Sequence, residues 1–428
     1  MGISSVRLGL KAYTLGWKCA IPFLKTNSRL KDGWDQRTLS GGLPAPAHIW
    51  IQAASGGEAY LAWEILKHLT SPFSESLRVL VTTNTLQGYE TLTRAADEIN
   101  SRKNGLAVQP WYFPFDAPDI MDRTVSHVRP KVALILETEI WPGFLSACKK
   151  NEVKILLANG RMSTKSLAGY LTWPGMFRAL APDAIMAVSE ADARRFGTLF
   201  GRKNVWVMPN IKFDRMADAA PMAHSNNPLK SLIPSDSSFV VFGSVRREEK
   251  TDVTHLAAGL MHERPASILG LFPRHMHHMK IWESAMNSAG LNWTLRSRLT
   301  GPATPGTVIL WDAFGELVPA YGLAHAAFVG GSLAPLGGQN FLEPLTCGVT
   351  PVIGPHWTNF AWVGQGLFDA GLAVKTTDWT TAQNALISIL DAPPSRQSIA
   401  KRAKAYIKDH TGGAQAVCKQ VADCLNKD

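Results

Sequence analysis

Cysteine is scarce and unpaired in this sequence. The five residues Cys19, Cys148, Cys347, Cys418 and Cys424 are scattered, odd in number and form no C-x-x-C pair. That pattern excludes a disulfide framework or a structural zinc site and fits a reducing compartment. Charge is sparse as well: 18% of residues are charged against 46% hydrophobic, so the chain has ample core material and is globular. No D-x-D motif occurs, and His275, His277 and His278 come without matching Cys, Asp or Glu spacing, so no metal site is expected. Long apolar runs are missing too. The uncharged stretches between Lys11, Lys18 and Lys25 fall far short of the roughly 20 residues that span a bilayer. No small-residue cleavage site follows an apolar core, so no signal peptide is read.

What is present is length and a basic head. The 428 residues suggest two domains of roughly 200 residues each. The formal charge is +10, and half of it lies in residues 1–40, where seven Lys/Arg oppose Asp32 and Asp35 for a net +5. Leu8, Tyr13, Leu15, Trp17, Phe23 and Leu24 are interleaved with these cations. This pattern reads either as an interfacial segment on anionic lipid or as a basic helix packed on the domain. Nucleic acid is not expected as a partner, because no basic-aromatic platform recurs elsewhere.

Beyond the head, apolar runs alternate with stretches of helical period. Strands are expected at 49–53, 79–83, 108–113, 132–136, 153–158, 184–188 and 205–208, with helices between, as at 91–99 and 191–199. A breaker-rich stretch at 219–238 reads as a linker. The alternation then restarts, with strands at 239–242, 268–272, 308–311, 326–329 and 349–353. The expected fold class is α/β, two doubly wound Rossmann-like domains facing across a cleft: an N-terminal domain over 41–218 and a C-terminal domain over 239–428.

Chemistry is expected at the carboxyl ends of these strands. After the first run comes Ser55-Gly56-Gly57-Glu58 at the start of a helix. A carboxylate there is either a catalytic group or a helix-start residue kept ionised by the dipole. Glu137-Thr-Glu139 follows the fourth run and, if extended, places both carboxylates on one side. Arg161 and Lys212 end later strands, making a rim of acid and base suited to an anionic, hydroxyl-bearing substrate. In the second half Pro273-Arg274, Phe314-Gly315-Glu316, Gly330-Gly331-Ser332 and Gly337-Gly338-Gln339-Asn340-Phe341-Leu342-Glu343 follow strands. Glycine turns of this kind expose N–H groups that cradle phosphate.

The segments I-Q-A-A-S-G-G-E, L-E-T-E-I-W-P, A-N-G-R-M-S, I-K-F-D, P-R-H, G-E-L-V-P-A-Y, F-V-G-G-S and G-G-Q-N-F-L-E-P occur in this order along the chain. In that order they resemble the 3-deoxy-D-manno-octulosonic acid (Kdo) transferases of lipopolysaccharide biosynthesis, a GT-B glycosyltransferase family. The resemblance implies Glu58 as general base, and Glu137 and Lys212 as stabilisers of the transition state. It implies that Pro273, Arg274, Phe314, Gly315, Glu316 and Asn340 through Glu343 hold CMP. Ser55, Gly56, Gly57, Arg161, Ser244, Arg246, Gly337, Gly338 and Gln339 would complete a substrate rim. The donor implied is CMP-Kdo and the acceptor a lipid A precursor. The enzyme would be peripheral, at the cytoplasmic face of the inner membrane, with no cofactor and no metal.

The chain departs from the family where S-T-H-E-G-E-E is usual: it reads Gly243-Ser244-Val245-Arg246-Arg247-Glu248-Glu249. Gln339 and Phe341 replace the usual His and Pro, and Met276-His277-His278 replaces Pro-Glu-Arg. Nucleotide-holding residues are kept while their neighbours change, which predicts CMP binding with a donor sugar or acceptor other than the standard pair. Two alternatives remain: a GT-B transferase or epimerase using another nucleotide sugar, and a degenerate nucleotide-binding membrane scaffold.

Overall fold

The structure is a computed structural model describing residues 3–71, 73, 75–102, 105–217 and 227–426, with side chains from residue 9 onward. It consists of two α/β units, Met1–Asp218 with His410–Asp428, and Ala219–Asp409.

The first unit holds a seven-stranded sheet of β1 (Ile49–Gln52), β2 (Leu77–Thr83), β3 (Leu106–Tyr112), β4 (Val132–Leu136), β5 (Lys154–Gly160), β6 (Ala184–Ala187) and β7 (Val205–Val207). Every pairing in it is parallel, in the order β3-β2-β1-β4-β5-β6-β7. Helices cover both faces, so β1 and β4 are buried along their whole length and read as continuous apolar runs. Alternate residues feed two cores: Ile49 and Ile51 on one face, Trp50 with Phe144 on the other. The strand order reverses between β1 and β4, and that switch point is where an open α/β sheet leaves a crevice at its carboxyl edge.

The second unit repeats the plan with β8 (Phe239–Val245), β9 (Ile268–Pro273), β10 (Trp293–Leu295), β11 (Val308–Leu310), β12 (Ala326–Val329), β13 (Pro351–Ile353) and β14 (Val374–Lys375). Its order is β10-β11-β9-β8-β12-β13-β14, again all parallel, with the switch point between β8 and β12. β10 and β14 were not foreseen. They are edge strands of three and two residues, too short to show an apolar run.

The expected boundaries need correction at two places. The C-terminal domain does not extend to residue 428, because the helix Gly413–Leu425 buries Ala414, Val417, Val421 and Leu425 in the first unit's core. Asp214 fixes it there, accepting the N–H groups of Gly412 at 2.6 Å and Ala414 at 3.1 Å. Of the expected linker, residues 219–226 lie outside the described residues. From Asn227 onward the chain is already part of the second unit: Asn227 Nδ2 donates to Pro319 O at 2.7 Å, and Leu229 is fully buried.

The basic head is helical over Ile3–Leu24, and no helix among the described residues is long and apolar enough to cross a membrane. One side of this helix packs on the first unit. Trp17 stacks against Phe115 at 5.6 Å, and Tyr13 donates to Asp116 Oδ2 at 2.8 Å. Asp116 is buried and also accepts the N–H groups of Gly143 (2.9 Å) and Phe144 (2.6 Å), which cap the helix Pro142–Lys150. The other side leaves Leu15 and Phe23 exposed at 65% and 76%.

Asp116→Ala would strand three donors and is expected to cost several kcal/mol, at about 1–3 kcal/mol per buried group, whereas Tyr13→Phe costs roughly 1 kcal/mol. Burial lifts the Asp116 carboxyl from 3.8 to about 7 against its three hydrogen bonds. Its contribution to stability is therefore complete below the unfolded value and is lost as pH rises through about 7. Thermal melts of Asp116→Asn should lack that segment of the pH dependence.

Candidate active site

Strand β1 ends at Gln52, and the chain turns through Ala53–Ser55 into the helix Gly56–His68. Ser55 is the N-cap: its Oγ accepts Glu58 N–H at 3.3 Å and donates to Glu58 Oε1 at 2.9 Å. Glu58 Oε2 accepts Ala54 N–H at 2.8 Å. Glu58 thus binds both the N-cap hydroxyl and the backbone N–H just before it, so the helix-start role of Glu58 is real. The carboxylate is not kept fully ionised, however. Burial, then the nearby Glu139 and Glu137, push it up to about 7, outweighing the Ala54 and Ser55 hydrogen bonds. The expectation that the dipole holds it charged is corrected by desolvation. Gly56 serves packing: a Cβ there would lie 2.8 Å from the Gln87 side chain.

Glu137, just past β4, does not continue an extended segment. Its φ is +55°, in the left-handed region that costs a non-glycine residue of order 1 kcal/mol or more. The turn separates the roles of the two carboxylates. Glu139 accepts Trp141 Nε1 at 2.5 Å, while Glu137 Oε1 accepts Lys212 Nζ at 2.8 Å and lies 3.9 Å from Arg161 Nη1. Lys212 is fixed from below by Asn210, whose Oδ1 accepts Lys212 N–H at 3.0 Å. Asn159, at φ +53°, similarly accepts Ile211 N–H at 3.0 Å. The carboxyl ends of β4, β5 and β7 thus converge on one Glu–Lys–Arg cluster. Sequence reasoning missed the role of Asn159: nothing local marks a side chain that caps a turn 52 positions away.

In the second unit the expected phosphate cradle is already filled. Glu249 is 1% exposed, and its carboxylate accepts the N–H groups of Gly331 (2.5 Å), Ser332 (3.2 Å), Leu333 (3.2 Å) and Arg246 (2.9 Å). Gly330 has no room for a side chain, since a Cβ would lie 2.5 Å from Glu249 Oε1. The Gly330–Ser332 turn therefore binds an internal carboxylate, which corrects its reading as an open cradle. Ser244 (φ +55°) and Arg246 end β8 beside it.

The expected nucleotide residues divide by what their side chains already touch. Pro273 is buried at the end of β9, and Arg274 after it is exposed, its backbone N–H bound to Val245 O at 2.9 Å. Phe314 is 82% exposed, an open ring beside Gly315 at φ +81°. Glu316 is committed elsewhere: it takes both Arg296 donors at 2.9 Å and Trp311 Nε1 at 2.7 Å. Phe341 and Leu342 are fully buried, Phe341 against Phe360 and Phe368, so neither side chain is available to a ligand. Asn340 and Glu343 remain half-buried and hydrogen-bonded to each other at 2.9 Å. Gly337 and Gly338, at φ +85° and +82°, form the turn that brings Gln339 N–H to Gly330 O at 3.1 Å. Among the described residues no group of three or more His, Cys, Asp or Glu is placed to hold a metal ion.

Glu249→Ala would leave four backbone donors without an acceptor and is expected to destabilise the second unit by at least about 3 kcal/mol in chemical denaturation. Glu248→Ala, beside it but exposed to solvent, should cost less than about 1 kcal/mol.

Residues 29–215 match the family model of the 3-Deoxy-D-manno-octulosonic-acid transferase (kdotransferase). The chain is 30% identical over 391 residues to the 3-deoxy-D-manno-octulosonic acid transferase of Bordetella pertussis, covering 89% of each chain. It is 26% identical over 389 residues to the enzyme of the same name from Haemophilus influenzae, covering 90% of this chain and 89% of that one. A glycosyltransferase structure from Rickettsia africae shares the fold at TM-score 0.59 and 11% identity, over 89% of this chain and 100% of that one. With its two parallel sheets and these relatives, the chain belongs to the Kdo transferase family, a GT-B-fold group of nucleotide-sugar-dependent glycosyltransferases.

Proposed function

We propose that this chain is an inverting glycosyltransferase that moves Kdo, or a related ulosonic acid, from its CMP-activated form to a lipid A precursor. The observation that carries the reading is the state of Glu58: buried under a helix cap at the sheet's switch point, with a proton affinity near neutrality. A general base works best when its pKa lies near the working pH. The acceptor hydroxyl gives its proton to Glu58 as its oxygen bonds to the anomeric carbon. The bond to CMP breaks on the opposite face, and its electron pair leaves on the phosphate. One displacement with one base inverts the anomeric centre. Lys212, held by Glu137 at 2.8 Å, supplies positive charge beside the reacting groups. In the donor unit Arg274 takes the CMP phosphate, Phe314 offers a stacking face for the base, and Asn340 with Glu343 meets the ribose.

The membrane-facing part follows from the first helix. Leu15 and Phe23 are exposed on an element that also carries Lys11 and Lys18, with Lys25 just beyond its end. A peripheral contact with anionic lipid, at the cytoplasmic face of the inner membrane, matches such a surface and an acceptor anchored in lipid.

Glu58→Gln should lower kcat by about 10²–10⁴. The wild-type rate should rise with pH along a limb centred near 7, as Glu58 loses its proton. The folded-state pKa is raised, so Glu58 contributes stability below its unfolded value of 4.5 that is lost as pH rises through about 7. At pH 8 Glu58→Gln should then melt no lower than wild type; a large drop in melting temperature with an unchanged rate would leave only the capping role. In calorimetry, Arg274→Ala should weaken CMP about tenfold, the worth of one charge-assisted hydrogen bond. Tighter binding of UDP than CMP would instead favour another nucleotide sugar.

A further inference from the structure

The carboxyl ends of β8 and β9 carry more positive charge than a single nucleotide phosphate requires. Arg246, Arg247 and Arg274 gather there with His275, His277 and His278, and each histidine ring centroid lies 4.0–6.1 Å from the others. Arg246 and Arg274 act on His275, and Arg247 on His278, with Glu248 the carboxylate that opposes them. Glu248 is shared, 3.3 Å from Arg246 Nη2 and 3.6 Å from Arg247 Nε. With Arg274 given to the nucleotide, Arg246 and Arg247 against Glu248 leave +1, and +2 once an arriving phosphate draws a proton onto one imidazole. Glu249 adds nothing to the balance, being sealed beneath the glycine turn.

Two features show that this charge is unspent. Arg246 Nε is buried with no hydrogen-bond partner, an unmet donor that costs stability unless an acceptor arrives. His275 and His278 are held below their ordinary proton affinity, by desolvation first and then by the neighbouring cations. A metal would not relieve this, since guanidinium groups repel it. A carboxylate would neutralise only half of the excess. A phosphomonoester carries the matching dianion and accepts forked donation from arginine.

We infer that Arg246, Arg247, His275, His277 and His278 form a site for a phosphomonoester additional to the phosphate of the nucleotide. The inference rests on the reading that Arg274 and its neighbours take CMP. The glycine turn, filled by Glu249, leaves side chains to do the work of phosphate recognition in this unit. Occupancy draws protons onto His275 and His278, so affinity rises as pH falls through the histidine range.

The test is calorimetry on the full chain, titrating inorganic phosphate into protein saturated with CMP at low ionic strength. Phosphate should bind the CMP-saturated protein, and Arg247→Ala/His277→Ala should weaken it about tenfold while leaving CMP affinity unchanged. Phosphate that competes with CMP, or that binds the double variant equally well, overturns the site. If CMP fails to bind at all, the transferase reading falls, yet the phosphate titration of wild type against the double variant still decides this one. Two further ligands assign the source: tighter binding of CDP than CMP, lost in the double variant, places the second phosphate on the nucleotide. Binding of glucose 6-phosphate to the CMP-saturated protein, also lost in the variant, places it on a sugar acceptor.

Discussion

A parallel sheet leaves peptide N–H groups unpaired where its strands give way to turns and helices, and those groups must find acceptors. In both units that need is met by a carboxylate beside the first strand of the sheet. Glu58 sits after β1, and Glu249 sits after β8. The difference between them is the number of donors each receives. Glu249 takes four backbone N–H groups and keeps nothing in reserve. Glu58 takes one backbone N–H on one oxygen and one hydroxyl on the other, with like charges nearby. Burial, then those like charges, outweigh the two bonds and hold its proton near neutrality, where the proposed base would need it.

The Glu137 turn completes the same logic. An extended continuation of β4 would have set Glu137 and Glu139 side by side, with little reason for either to reach a cation. The left-handed backbone at Glu137 turns the chain, so that one carboxylate meets Lys212 and the other the Trp141 indole. The backbone cost is recovered by the ion pair and the hydrogen bond. Anchorage comes from a distance: Asp116 caps the helix that follows Trp141, and Tyr13 of the first helix bonds to Asp116. The first helix and the Glu137 turn are therefore joined through one buried carboxylate.

Much of this was legible in the chain. All seven strands of the first sheet and five of the second announce themselves as apolar runs; β1 and β4 do so most clearly, because a strand buried on both faces has no polar positions to hide it. The glycine turns, Glu58, Glu137, Arg161 and Lys212 were legible because a strand followed by a polar turn marks the carboxyl edge. What was hidden depends on long-range pairing. Asn159 and Asp116 look like ordinary polar residues until the fold supplies their partners. Phe341, Leu342 and Glu316 looked like ligand holders by position, yet two are core and one holds Arg296. The last helix was misplaced for the same reason: its apolar face fits either unit's helix layer, and only Asp214 and the packing of Val417 and Val421 decide between them.

The placement of Glu249 also bears on what the cations beside it can do. Had the glycine turn been open, its N–H groups would have served any phosphate without side-chain charge. Filled by an internal anion, the turn becomes a floor, and in the proposed phosphate site selectivity rests on the cations beside it. Substituting those cations alters recognition without touching the floor, because the Glu249 hydrogen bonds involve backbone alone. Arg247 and His277 are exposed and take no part in those bonds, so they can be replaced at little cost in stability. That freedom is the condition under which a fold keeps its chemistry while changing what it recognises.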